Sequence, residues 1–210
     1  MIRVLIADDH DIVRKGMKRV FSRTPDIEVA GEASTGQEAL ELVWHNSYDV
    51  VILDISLPGR NGLEILKQIK GHQPKLPVLI LSMYPEEQYA VRVLRAGAAG
   101  YLTKESDKGE LIDAIRRIVK GKKYITPALA ERLAAELESA SEKAPHEKLT
   151  DREYHLLCLI ANGKGSREIA EELSLSVKTV STHRGRILEK MGMKSNAELT
   201  HYAIQNKLVD

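Results

Sequence analysis

Short apolar runs alternate with amphipathic stretches along the first 120 residues. The runs are Val4-Leu5-Ile6, Ile27-Glu28-Val29, Val50-Val51-Ile52-Leu53, Val78-Leu79-Ile80-Leu81 and Gly100-Tyr101-Leu102. Bounded by polar residues and rich in β-branched side chains, they predict five strands. The first, third and fourth lack polar alternation, the pattern of strands covered on both faces. The stretches between them repeat at helical spacing, as in Leu40, Val43 and Trp44, Leu63, Leu66 and Ile69, Val91 and Leu94, and Leu111, Ile115 and Ile118. Thr35 followed by Glu38 has the spacing of a capping box. Strands alternating with helices predict an α/β fold, a doubly wound five-stranded parallel sheet.

Past Gly121 the strand signal stops. Residues Ala128 to Leu137 read as a short Ala/Leu/Glu helix, and the polar stretch Glu138 to Lys148 as a flexible linker. From Leu149 onward every cue is helical. Thr150 with Glu153 and Ser195 with Glu198 give two more capping-box spacings, and Gly163, Gly165 and Gly192 punctuate the helices. The expected division is a sheet domain over residues 1–120, a linker with a short helix over 121–148, and a small all-helical domain over 149–210.

Composition narrows the function classes. A net charge of +1 over 210 residues gives no bulk attraction to nucleic acid, so any DNA-binding surface must be a local basic patch. The single cysteine, Cys158, excludes an intramolecular disulfide and lies in an apolar helical pattern suited to core packing. The opening apolar run is cut by Asp8 and Asp9, too soon for a secretory leader, and no stretch approaches membrane-span length. A cytoplasmic protein without membrane contact is expected.

Doubly wound sheets gather ligands at the carboxyl ends of their strands. Here Asp8 and Asp9 end the first run, Asp54 the third and Ser82 the fourth, and Lys104 follows the fifth. Three carboxylates converging on one point repel each other unless a hard divalent cation such as Mg²⁺ sits among them. An aspartate carboxylate attacks a phosphoryl group directly while a cation and a lysine ammonium neutralise the equatorial oxygens. Asp54, on the central strand, is best placed to be that nucleophile. The plainer alternative is that these acids cap a helix or start a turn, which any one of them can do singly.

Asp8-Asp9, Asp54 followed by Leu57-Pro58-Gly59, Ser82, and the run from Ala96 to Lys104 closely resemble receiver domains of two-component response regulators, over about residues 1–120. The resemblance implies that Asp9, Asp54 and the backbone carbonyl of Ser56 ligate Mg²⁺ directly and that Asp8 acts largely through water. It assigns Lys104 and the Ser82 hydroxyl to the phosphoryl oxygens, and Ser56 and Tyr84 to positions that influence phosphoryl lifetime. Phosphorylation adds roughly −1.5 to −2 charges, which would draw Ser82 inward and let Tyr101 rotate, remodelling the face of the fourth and fifth helices. One position departs from the pattern. Receivers commonly follow the lysine with a proline in a cis peptide, whereas Glu105 follows Lys104, and a non-proline cis bond costs about 2.5 to 4 kcal/mol. The geometry of that peptide is left open.

In the C-terminal part, a short helix over Arg167 to Leu173, a turn at Ser174-Leu175-Ser176 and a longer helix from Val177 have helix-turn-helix spacing. On a helical wheel Val177, Val180, Ile187, Leu188 and Met191 share one arc, leaving Lys178, Thr182, Gly185, Arg186 and Glu189 around the other side, able to enter a major groove. Lys178, Arg184, Arg186 and Lys190 supply the local basic patch. A plain helical bundle with solvated charges is the alternative.

Leu149 to Glu153, Ile169-Ala170, Val177 to His183 and Lys190-Met191-Gly192 resemble a LuxR-type output domain over residues 148–210. The resemblance implies base reading at Ser181, Thr182 and Gly185, with Lys178, Thr179, Arg184 and Arg186 on phosphates or base edges and Lys190 adding to the patch. Gly185 departs from the frequent long side chain and removes one reader, and Arg184 projects close to the apolar arc. His183 reads as a packed structural histidine, with no second His or Cys at ligand spacing. The last helix, Ala197 to Asn206, is implied to mediate dimerisation.

Together these readings predict a transcriptional regulator whose partners are a sensor histidine kinase, double-stranded promoter DNA with inverted or direct half-sites, a second copy of itself and RNA polymerase. Its only catalysis would be its own phosphoryl transfer and hydrolysis. Two rivals are a phosphatase with an aspartyl-phosphate intermediate, whose Asp-x-Asp motif is replaced here by Asp8-Asp9-His10, and a DNA-binding regulator whose receiver makes only protein contacts.

Overall fold

The computed structural model describes residues 1–58, 61–138 and 144–209. Gly59 and the 139–143 part of the expected linker lie outside the described residues. Contacts divide the chain into two compact units, Met1–Leu133 and Ala134–Asp210.

The first unit contains the five strands expected, β1 (Ile2–Ala7), β2 (Ile27–Ala33), β3 (Val50–Leu53), β4 (Val78–Ser82) and β5 (Gly100–Thr103), all parallel in the order β2-β1-β3-β4-β5. Between them run α1 (Asp11–Phe21), α2 (Gly36–His45), α3 (Gly62–His72) and α4 (Glu86–Arg95), and α5 (Lys108–Val119) follows β5. Side chains alternate between the two faces of a strand. Val4, Ile6, Ile52, Leu79 and Leu81 therefore share one face, where they pack with Met17 and Phe21 of α1 and Leu111, Ala114, Ile115 and Ile118 of α5. Leu5, Val51, Leu53 and Ile80 take the other face and are fully buried, as are Leu40, Val43, Leu66, Ile69 and Val93 of α2 to α4. Each such Leu, Ile or Val contributes about 1.5–3 kcal/mol on burial, which holds the sheet between its two helical layers. Trp44 departs from the apolar stripe assigned to it and is 44% exposed. It follows buried Val43 by one residue and is rotated about 100° off the packed face.

After α5 the chain turns at Gly121, whose φ is +78°. Tyr124 then forms a parallel bridge to Gly100 on the outer edge of β5, with its amide donating to the Ala99 carbonyl at 2.8 Å. A Cβ on Gly100 would lie 2.8 Å from the Tyr124 Cβ, so the approach requires glycine there. The helix α6 (Pro127–Glu138) starts against α4: Thr126 Oγ1 donates to the Glu86 carboxylate, Arg132 to the Glu87 carbonyl, and Leu129 is 2% exposed. Residues 121–133 therefore pack with the sheet unit, although the sequence expectation ended that domain at 120. The loss of strand pattern that set the expected boundary does not register a segment contributing a single bridge.

The second unit has a 3-10 turn (Pro145–Lys148), then α7 (Asp151–Ala161), α8 (Ser166–Glu172), α9 (Val177–Met191) and α10 (Asn196–Gln205). Thr150 and Glu153 close the expected capping box, and Gly192 ends α9 in the left-handed region at φ +67°. Its core gathers Leu156, Leu157, Cys158, Leu159, Ile169, Val180, Ile187, Leu199 and Ala203. His155 is buried in it, and desolvation pushes its pKa down to about 4. No helix among the described residues is long and apolar enough to cross a membrane.

Candidate functional site

Main-chain bonds carry the parallel ladders one residue past the strands, and this positions the polar residues. The Asp8 amide donates to the Ala33 carbonyl, the Asp54 amide to Ala7 and the Lys104 amide to Ser82, at 3.1, 2.9 and 2.7 Å. The carboxyl ends of β1, β3, β4 and β5 thereby converge. Lys104 Nζ lies 2.7 Å from Asp54 Oδ2 and 2.7 Å from Asp8 Oδ2, with all three side chains at most 5% exposed. Asp54 Oδ1 accepts from the Ser56 amide at 3.1 Å. Oxygens of Asp8, Asp9 and Asp54 and a ring nitrogen of His10 lie within 4.8 Å of one another.

Burial and charge oppose each other here. Desolvation pushes the Asp54 carboxyl up, the Lys104 ammonium and the Ser56 amide pull it down, Asp8 raises it again, and the net pKa stands above the usual carboxylate range. Burial alone would lower Lys104, but Asp54 and Asp8 outweigh it and hold the ammonium above its ordinary value. The ion pair is thus mutually required, since either partner alone would be an uncompensated buried charge. Three hard carboxylates around one point with a single ammonium leave negative charge for a further cation, and an all-oxygen carboxylate set fits Mg²⁺.

The surroundings hold this geometry. Gly62, first residue of α3, lies against the Asp54 backbone, and a Cβ there would fall 2.2 Å from the Asp54 carbonyl oxygen. The Asn61 side chain caps α3 by accepting from the Leu63 amide at 2.8 Å. Ser82 is fully buried, its hydroxyl accepting from the Tyr84 amide at 3.2 Å. Tyr101 is 1% exposed and donates its hydroxyl to the Tyr84 carbonyl at 2.8 Å, so its ring already lies inward. No cis peptide bond occurs among the described residues, and the Lys104–Glu105 bond is trans. Two residues went unassigned on sequence. Arg14 donates to the Asp8 carbonyl at 2.7 Å, and His10 Nδ1 lies 2.8 Å from Asp9 Oδ1 and 3.1 Å from Asp8 Oδ1. Nothing in the sequence singles out Arg14, six residues beyond Asp8, and only adjacency points to His10.

In the second unit, α8 and α9 flank a turn in which Ser174 adopts φ +52°. Ser176 caps α9, accepting from the Thr179 amide at 3.0 Å. Lys178, Ser181, Thr182, Gly185 and Arg186 are all exposed. At about 100° per residue they share an arc of roughly 140° opposite buried Val180, Ile187 and Met191. Val177, placed on the apolar arc by the wheel, is 45% exposed, because as the first helical residue it precedes the packed turn. Thr179 is half-buried beside the Ser176 hydroxyl. The remaining two candidates are engaged within the unit: Arg184 donates to Asn196, and Lys190 Nζ pairs with buried Glu153 at 2.6 Å. Burial pushes Glu153 up, but Lys190 and the Thr150 amide outweigh it and hold the carboxyl below its usual range.

A family model described as response regulator receiver domain matches residues 4–116, and one described as bacterial regulatory proteins, luxR family, matches residues 147–203. The chain is 36% identical over 211 residues to the response regulator GacA of Pseudomonas aeruginosa, spanning 100% of this chain and 99% of that one. It is 40% identical over 211 residues to the transcriptional regulatory protein LiaR of Bacillus subtilis, spanning 100% of both. Among solved structures it is similar to RcsB from Salmonella enterica serovar Typhimurium bound to promoter P1flhDC in the presence of the phosphomimetic BeF3⁻. That likeness has a TM-score of 0.60 and 28% identity and covers 96% of this chain and 97% of that one.

Proposed function

The chain belongs to the two-component response regulators that join a receiver to a LuxR-family DNA-binding domain, and on that premise we propose that phosphorylation of Asp54 by a sensor histidine kinase switches promoter binding by α9. The observation that carries this reading is the buried Asp54 carboxylate, one oxygen held by Lys104 and the other by the Ser56 amide, beside Asp8 and Asp9.

Asp54 is the nucleophile: a P–O bond forms at its carboxylate as the donor's bond to phosphorus breaks. Asp9, Asp54 and the Ser56 carbonyl would hold Mg²⁺, with Asp8 acting through water. The cation supplies charge neutralisation at the equatorial oxygens. Lys104, now bridging Asp8 and Asp54, turns to a phosphoryl oxygen, and the Ser82 hydroxyl supplies another contact. Ser82 and Tyr101 pass the change to the face of α4 and β5 through the Tyr84 backbone, which both already contact. The same carboxylate and lysine support slow hydrolysis and no other turnover.

In the output unit, Ser181, Thr182 and Gly185 face the bases and Lys178, Thr179 and Arg186 the phosphates. Arg184 and Lys190 first hold α9 in place and add positive field at its rim. The protein acts in the cytoplasm as a homodimer on two half-sites, within reach of RNA polymerase. The relative RcsB, solved on promoter DNA with a phosphomimetic, supports this coupling. Incubation with acetyl phosphate and Mg²⁺ followed by intact-mass measurement tests it: the wild type gains one phosphoryl group and Asp54→Ala gains none. Equal labelling of both would overturn the assignment.

A further inference from the structure

The face of α9 opposite its buried side carries long side chains at its ends and small ones at its centre. Lys178 and Arg186 stand one turn to either side of Thr182, and Ser181 and Gly185 lie beside it, all of them exposed. The Thr182 hydroxyl is already committed, because it donates to the Lys178 carbonyl at 3.0 Å. That bond folds Oγ1 back onto the helix, so the group that Thr182 offers to a partner is its methyl.

Gly185 follows three residues later on the same face. Its backbone is helical, and a Cβ there would meet no atom within 4 Å, so neither conformation nor packing calls for glycine. Glycine weakens a helix interior, and here it leaves the main chain bare beside the Thr182 methyl. The result is a shallow notch with an apolar wall, set between two cations. In the major groove the C5 methyl of thymine is the apolar feature of the base edges, and a threonine methyl is a fitting contact for it.

We infer that the output unit recognises a thymine in each half-site by its C5 methyl, packed against the Thr182 methyl in the notch that Gly185 leaves open. The inference rests on the proposed promoter binding by α9 and names a base that this helix reads. Gly185 acts by what it lacks, since a longer side chain at that position would hold the helix off the groove floor. Lys178 and Arg186, reaching out at either end, fit phosphates, which position the helix and carry no part of this preference.

The test uses the full chain treated with acetyl phosphate and Mg²⁺ and a pool of randomised duplex DNA, from which the bound sequence is selected. Each thymidine of that sequence is then replaced by deoxyuridine, which removes the methyl and keeps every hydrogen-bonding group. At one thymidine per half-site the replacement is expected to weaken binding about fourfold at fixed salt, the worth of one buried methyl. Thr182→Ser, which keeps the hydroxyl and lacks the methyl, binds both duplexes alike. Thr182→Val, which keeps a methyl, still tells them apart, and Gly185→Gln, which fills the notch, loses the preference. A wild type that binds both duplexes alike at every position, or discrimination that persists in Thr182→Ser or vanishes in Thr182→Val, overturns the thymine contact and leaves DNA binding standing. A chain that selects no sequence from the pool overturns both.

Discussion

Asp54 and Lys104 meet below the surface of the sheet unit at 1% and 5% side-chain exposure, whereas Lys178 and Arg186 stand open to solvent on α9. The first pair sits where charge is costly and each member depends on the other. The second pair sits where charge costs almost nothing. Function and stability are therefore entangled in the receiver and nearly separate on the recognition face. Within the output unit the same contrast recurs on one helix, since Lys190 is tied to buried Glu153 and Arg186 is exposed.

The largest expected effect sharpens that contrast. Without added cation, Lys104→Met leaves Asp8 and Asp54 buried without their counter-charge and destabilises the sheet unit by about 3 kcal/mol. Arg186→Ala stays within about 0.5 kcal/mol. Trp44, the one tryptophan of the chain, lies on α2 and reports unfolding of the sheet unit alone. A silent Lys104→Met would break the comparison.

Next comes acid. His155 is 2% exposed and its pKa is pushed down to about 4, below the ordinary 6.5 that it regains on unfolding. The unfolded chain then binds the extra proton first, so stability is complete above pH 6.5 and falls as the pH drops toward 4. The loss is about 3 kcal/mol, confined to the helical unit. Amide exchange along α7 measures it, and His155→Gln should flatten the slope.

Smaller effects separate the basic residues. Replacing Lys178 or Arg186 with Ala should weaken DNA binding by about 1–2 kcal/mol and lower the salt slope by about 1. Lys190→Ala should act mainly on stability, about 1–2 kcal/mol, by stranding Glu153. If Lys190→Ala lowers the salt slope as much as Arg186→Ala, the division between holding and reading residues fails. Smallest is Gly185→Ala, which meets no atom within 4 Å and should stabilise the exposed middle of α9 by about 0.5–1 kcal/mol in thermal melts.

The parallel five-stranded sheet and the gathering of the polar residues at its rim were legible because parallel strands deliver the residue after each apolar run to one edge. Asp8, Asp54, Ser82 and Lys104 needed only that rule. His10 escaped it because adjacency does not say which way a ring turns. Arg184 and Lys190 looked like any basic residues on a helix, since their partners Asn196 and Glu153 lie 12 and 37 positions away. The Lys104–Glu105 geometry was open on sequence because two opposed tendencies, family habit and the cost of a non-proline cis bond, met at one peptide.

Tyr124 covers the start of the last strand through one bridge at Gly100, and Leu129 farther along the same segment is buried. Any gene fusion that transplants this receiver onto another effector must therefore carry residues 121–133 with it. Cut at 120, the domain would lose the one bridge that covers the Gly100 end of β5 and lengthen an open border, an invitation to lateral pairing between copies.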